Sequence, residues 1–190
     1  GNTWISNSSL FTGQHRSLPD VGTLNDYEDK IGLIVISSGK YNNIGPTLNK
    51  PQICTAHPTV LLSSKRNEKS VYGVIADREG ETRKYEHGNW IRTAGATGED
   101  ERLIINSLGE GGIWVCNING NLENGDYITT CEVPGLGMKQ DSEMLCNYTV
   151  AKITQDCNFR INASNYNVEE FEFEGKTYRK AFVGCTYHCG

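Results

Sequence analysis

The chain has 190 residues, of which 37% are hydrophobic, and its formal net charge is −5. This length allows one sizeable domain with its own core, or two small domains. Basic residues are scattered among acidic ones, which disfavours nucleic acid as a partner. No apolar run approaches the ~18 residues of a membrane-spanning helix, so no membrane contact is predicted.

The first half of the chain predicts short strands between polar loops. Residues 1–30 are polar and turn-rich, residues 41–58 hold three of the five prolines, and residues 78–101 carry several glycines. Between these segments, apolar or β-branched runs predict strands. The predicted strands lie at 30–41, 59–64 and 70–77.

The middle of the chain is dominated by glycine. Residues 102–118, "RLIINSLGEGGIWVCNI", predict two strands parted by a Gly-rich turn at 109–112. Two Asn-Gly pairs follow, Asn119-Gly120 and Asn124-Gly125. Both pairs can adopt the positive φ angles of a tight turn. Because they lie close together, one is predicted to form a corner and the other a hairpin turn.

The seven cysteines are an odd number, so at least one thiol is free or paired between chains. A hairpin closed on Asn124-Gly125 brings Cys116 diagonally opposite Cys131. Two outcomes stay open there, a disulfide bridge or two reduced cysteines in neighbouring strands, and the second is the simpler.

The last third continues the strand pattern. Alternating residues at 126–130 and 147–154 predict two strands, and residues 168–187 predict a hairpin with its turn at Gly175-Lys176. No window shows a sustained helical period. We therefore predict a mainly β fold, a single domain of about ten short, mostly antiparallel strands with long Gly-rich loops. Its β-rich part spans 31–158, and 159–190 form a C-terminal hairpin appendage.

Motifs of common enzymes and cofactor sites are absent. The sequence has no GxSxG, HExxH, Walker or dinucleotide-binding pattern, which disfavours classical hydrolases and nucleotide enzymes. Cys185, His188 and Cys189 are closely spaced, but zinc prefers four ligands and no second spaced pair is evident. We predict no metal and no other cofactor.

A family resemblance rests on "INSLGEGGIWVCNINGNLENGDYITTCEVPGLGMKQ" at 105–140, followed by "NYTVAKIT" at 147–154. These stretches resemble the intramolecular chaperone autoprocessing domain of phage neck-appendage proteins and of fibre-like proteins in large DNA viruses. The resemblance covers roughly residues 10–158. It implies a homotrimeric terminal domain that aligns the chains of a parent fibre or appendage polypeptide, in the virion or the cytoplasm of the infected host cell.

The resemblance also implies a self-cleaving peptidase that acts once on its own chain, within residues 1–30. Such cleavage needs a nucleophile and a nearby base or acid. The candidate nucleophiles are Ser8, Ser9 and Ser17, and Ser9 is the predicted catalytic serine. The candidate acids and bases are His15, Asp20, Asp26 and Glu28. No lysine precedes Lys30, so a close Ser–Lys dyad is absent.

Two non-enzymatic alternatives stand beside this interpretation. The first is a fibre-tip module that binds host glycan, in which Trp4, Trp90 and the tyrosines of the Gly-rich loop stack on sugar rings. The second is a virion surface protein held to other capsid components by β contacts between subunits.

Overall fold

The computed structural model describes residues 13–20, 27–43, 56–78, 84–87, 90–93 and 102–189. It confirms that the chain is mainly β. The strands are β1 (Gly13–Pro19), β2 (Ile34–Asn43), β3 (Ala56–Leu62), β4 (Val71–Arg78), β5 (Lys84–His87), β6 (Trp90–Thr93), β7 (Leu103–Cys116), β8 (Tyr127–Thr130), β9 (Gly137–Lys139), β10 (Thr149–Ile153), β11 (Val168–Phe173) and β12 (Lys176–His188). Two 3-10 helices, η1 (Tyr27–Lys30) and η2 (Asn117–Asn119), complete the described elements.

Ten strands form one mixed sheet, in the order β1-β3-β2-β4-β7-β9-β8-β10-β12-β11. Two additional pairings, β1–β7 and β7–β12, close this sheet twice. One closed ring contains β1, β3, β2, β4 and β7, and the other contains β7, β9, β8, β10 and β12. Closure pairs the strand edges that an open sheet would expose. The long strand β7 belongs to both rings, so it is the central element of the fold.

Each ring surrounds its own apolar core. The smaller core contains Val35, Val60, Ile75, Leu103 and Ile105, all from strands of the first ring. The larger core is built mainly from β7, β8, β10 and β12 and includes Ile113, Ile128, Val150 and Val183. Inward-facing residues alternate with outward-facing ones along β12, as strand geometry requires.

The predicted turn at 109–112 is wrong, because β7 runs unbroken for 14 residues through these glycines. The missing side chains leave room for two rings of the paired strand β12. A Cβ on Gly111 would lie 2.4 Å from the Tyr187 hydroxyl oxygen, and one on Gly112 would lie 2.4 Å from Cζ of Phe182. The Tyr187 hydroxyl also donates to the Gly112 carbonyl oxygen at 2.7 Å. The glycines therefore serve close packing within a strand.

The double Asn-Gly stretch is partly as predicted. The first pair forms the corner: η2 ends at Asn119, and Gly120 caps it with φ 90°. The second pair lies at the centre of a tight turn closed by the Asp126 N–H donating to the Glu123 carbonyl oxygen at 2.9 Å. The predicted hairpin is wrong, because β8 pairs with β9 and β10 instead of with the preceding segment.

Several other strands lie close to their predicted positions. β2, β3, β4, β8 and β10 overlap the predicted strands, and β11 and β12 form the predicted C-terminal hairpin. The hairpin turn is centred one residue earlier than expected, on Glu174 and Gly175, which both have positive φ. Strands also occur in stretches expected to be loops, at β1 in the N-terminal segment and at the β5–β6 hairpin.

The proposed domain boundaries stay predictions. In the segment after residue 158, β12 pairs with β7 over nine consecutive positions and with β10 over three. Within the described ranges, no helix combines the length and the apolar character needed to cross a membrane.

Candidate ligand-binding groove

A surface groove of about 1100 Å³ lies over the outer face of β7 and β12. It is lined by side chains from five parts of the chain. They come from the segment before β2 (Asp29, Ile31, Leu33), from β7 (Trp114), from the turn before β9 (Val133, Pro134, Leu136), from the segment before β11 (Ser164, Asn165, Tyr166, Asn167) and from the terminal hairpin (Glu169, Phe171, Lys180, Phe182).

Two aromatic rings form the centre of the groove. Trp114 and Phe182 are directly paired across β7 and β12, and their ring centroids lie 5.5 Å apart at 56°. The Trp114 indole N–H donates to the Ile31 carbonyl oxygen at 3.1 Å, which fixes the orientation of its ring. Phe182 keeps 41% of its surface exposed. Phe182 therefore offers an open aromatic face that the neighbouring strand holds in place.

A lysine and a glutamate flank these rings. Lys180 Nζ lies 2.9 Å from Glu169 Oε2 and 4.8 Å from the centroid of the Trp114 ring. The ammonium group is attracted both to the carboxylate and to the negative face of the indole. Because Lys180 is held over Trp114 in this way, the ring of Phe182 is the more accessible of the two.

Polar side chains from the segment before β11 form one wall of the groove. Ser164, Asn165 and Asn167 precede β11, and all three are exposed. Among the described residues, none of these side chains takes part in a hydrogen bond within the protein. Their hydroxyl and amide groups are both donors and acceptors. They are thus available to a ligand that offers hydroxyl groups.

Tyr166 anchors this polar wall. Its hydroxyl donates to Asn158 Oδ1 at 2.8 Å and accepts from the Asn158 backbone N–H at 3.0 Å. Burial raises the pKa of Tyr166, so the hydroxyl stays protonated at neutral pH. A smaller cavity of about 590 Å³ lies beside the groove, and residues 164–166 line both. A chain-like ligand could therefore continue past the wall.

The floor of the groove is a compact apolar cluster behind Trp114. Its buried members are Cys116, Cys131, Val133, Leu136 and Met138. The two cysteine sulfurs lie 3.7 Å apart. Their contact lowers the pKa of Cys116, whereas the same contact together with burial raises the pKa of Cys131.

The structure describes only part of the predicted catalytic set. Ser9 and Asp26 lie outside the described residues, as does Ser8, and the side chain of Glu28 in η1 is not described. His15 is exposed on β1, with its ring centroid 5.6 Å from that of Tyr72. Asp20 follows β1 and lies 3.6 Å from Lys40 Nζ.

Of the predicted catalytic set, His15 and Asp20 are the two residues whose side chains the structure describes. His15 lies in β1 and Asp20 follows its end, and the five chain steps between them span about 16 Å when extended. Ser17, between them, is fully buried. These residues stay predictions as cleavage groups.

The other predicted binding residues have side chains that the structure does not describe. Trp4 lies outside the described residues, and Trp90 begins β6, where its side chain is not described. In the C-terminal segment, strand alternation places Cys185 and His188 on opposite faces of β12. Those two side chains therefore cannot ligate one metal ion together.

Sequence reasoning missed the residues that form the groove, although a signal for two of them was present. Trp114 stands between the inward-facing Ile113 and Val115, and Phe182 stands between the inward-facing Ala181 and Val183. A large aromatic residue at the outward position of an alternating strand indicates an aromatic outer surface. That two such positions meet could not be inferred without the pairing of β7 with β12.

The protein is thus mainly β, with one mixed ten-stranded sheet closed into two rings and an aromatic groove on its outer face. Searches of protein-family models, of curated proteins and of solved structures find no match for this chain. The geometry of the groove is therefore the basis for inferring its function.

Proposed function

We propose that the domain is a non-enzymatic binding module and that its groove takes a carbohydrate chain. The observation that carries this proposal is that one groove is lined both by the exposed Phe182 ring and by polar side chains with no partner among the described residues. A sugar ring has an apolar face of C–H groups that fits the negative face of an aromatic ring. Its hydroxyl groups suit the amides of Asn165 and Asn167, which can both donate and accept.

Size and charge support the same ligand class. A groove of about 1100 Å³ is slightly larger than the sites that hold most small molecules, which favours a ligand of several rings. Its charged lining residues are Asp29, Glu169 and Lys180, two acids and one base. This balance does not favour a strongly anionic ligand, so we propose a neutral or weakly charged oligosaccharide.

We expect the purified chain to bind a subset of neutral glycans on an array, and Phe182→Ala to weaken that binding at least about tenfold, or ~1.4 kcal/mol. Asn167→Ala should weaken binding while leaving the melting temperature unchanged. Leu108→Ala is the matched control, because Leu108 is equally exposed at 41% but does not line the groove. An array without hits, or Phe182→Ala and Leu108→Ala with equal affinities, would contradict the proposal.

A second candidate function, the assembly of a viral fibre, is favoured by one exposed loop. Residues 141–147 carry Met144 and Leu145, which are 74% and 59% exposed. Buried Gln140 holds the loop, because its Nε2 donates to the carbonyl oxygens of Ser142 and Met144 at 2.7 and 2.8 Å. The Thr149 hydroxyl in turn donates to Gln140 Oε1 at 2.7 Å.

A loop that is already ordered loses little entropy when it binds. We therefore propose that Met144 and Leu145 contact identical neighbours in a homotrimer, consistent with a terminal chaperone domain in the virion or the infected cell. Light scattering over a dilution series should report a trimer for the unmodified chain and a monomer for Met144→Ser/Leu145→Ser. Ile161→Ser, at a position 55% exposed elsewhere, should leave the trimer intact. A monomeric unmodified chain would exclude this candidate.

A further inference from the structure

Cys116 and Cys131 lie in the buried cluster beneath the groove, and the chain segments that hold them form two of its walls. Cys116 ends β7, two residues after Trp114. Cys131 begins the turn that supplies Val133, Pro134 and Leu136 to the groove lining. Both side chains are fully buried, and the sulfurs are in contact at 3.7 Å. A covalent bond between them would join these two walls directly.

We propose that Cys116 and Cys131 are a disulfide-forming pair that locks the groove when the protein is oxidised. A disulfide bond is about 2.05 Å long, so the sulfurs need to approach by about 1.7 Å. Side-chain rotation can supply much of that movement, because the sulfurs already face each other. The inference concerns the cysteines themselves and does not depend on carbohydrate binding.

Hydrogen peroxide is an oxidant small enough for a buried site. The Cys116 thiolate attacks one peroxide oxygen, which breaks the O–O bond, forms a sulfenic acid and releases hydroxide. The Cys131 sulfur then attacks the Cys116 sulfur, the S–O bond breaks, and hydroxide leaves and takes up the thiol proton as water. In sum, two thiols and one peroxide give one disulfide and two water molecules.

The immediate surroundings favour this pair over the other cysteines. Cys131 Sγ also lies 3.3 Å from the Leu136 carbonyl oxygen, which can accept its thiol proton in a hydrogen bond. The Cys146 thiol donates to the Met144 carbonyl oxygen at 3.3 Å, and the Cys189 thiol donates to the Val150 carbonyl oxygen at 3.4 Å. Among the described cysteines, Cys116 and Cys131 alone are in sulfur–sulfur contact.

The test is peroxide treatment of the folded full chain, followed by alkylation and peptide mapping. Trypsin leaves both cysteines in the single peptide 103–139, so a second cut after Glu123 is needed to separate them. We expect the two fragments to stay joined until a reductant is added. Cys116→Ser should abolish the joined product, whereas Cys146→Ser should not. Recovery of the two fragments separately, or joined to other cysteines, would overturn the proposal.

Thermal unfolding of the unmodified chain gives a second measurement that needs no variant. A disulfide across the loop from 116 to 131 should raise the melting temperature of the oxidised form by about 6–12 °C. Addition of a reductant should reverse the increase. An oxidised chain that melts at or below the temperature of the reduced chain would also contradict the proposal.

Discussion

Replacement of Phe159 by alanine is expected to lower the free energy of unfolding by about 3–5 kcal/mol. The Phe159 side chain is 1% exposed and lies in the larger core beside the strands of the second ring. Removal of a buried ring costs both its transfer free energy and the cavity that it leaves. Urea unfolding followed by circular dichroism measures the change directly.

The loss of the Phe159 ring should also disturb the groove. Phe159 follows Cys157, whose backbone pairs with Leu122 in both directions at 2.9 Å, and it precedes the polar wall at 164–167. Phe159 therefore anchors the start of that wall in the core. Ile161→Ala is the matched control, because Ile161 is two residues away and exposed, and it should change stability by less than about 0.5 kcal/mol. Equal destabilisation by the two variants would refute the anchoring role.

Replacement of Gly73 by valine is expected to lower the free energy of unfolding by about 1–3 kcal/mol. Gly73 lies in β4, where a Cβ would be 2.5 Å from the Asn106 carbonyl oxygen and 2.5 Å from Cγ2 of Ile105. This carbonyl oxygen is part of the β7 backbone, so it cannot move away without separating β4 from β7. Because that pairing helps to close the first ring, the whole ring should be weakened.

A glycine in a roomier place supplies the comparison for Gly73. A Cβ on Gly184 of β12 would meet a side-chain oxygen of Thr154 at 3.0 Å and no backbone atom within 4 Å. The Thr154 side chain can rotate away, so Gly184→Ala should change stability little. Chemical denaturation of both variants should separate them clearly. A Gly73→Val protein as stable as Gly184→Ala would show that β4 and β7 tolerate separation.

The strands were predictable from the sequence where the pattern is local. The alternation at 147–154 and the paired glutamates and phenylalanines of β11 were enough to locate β10 and the terminal hairpin. The unbroken course of β7 was not predictable, because Gly111 and Gly112 resemble a turn. The rings that fill their space belong to Phe182 and Tyr187, about seventy residues later in the chain.

The candidate site was less predictable than the strands, because pairing over long distances creates it. Phe182 and Trp114 become neighbours only through the register of β7 with β12. Ser164, Asn165 and Asn167 stand in a polar stretch without a pattern that would indicate a groove. The proximity of Cys116 and Cys131 was anticipated, although from a hairpin that does not form.

Chemical-shift mapping by NMR with a glycan that the protein binds tests the central claim most directly. If the groove is a carbohydrate site, the backbone amides of residues 164–167 and 180–182 should shift on titration, and Phe182→Ala should remove those changes. Shifts confined to β1 and β3, on the first ring, or no shifts at saturating glycan, would contradict the account.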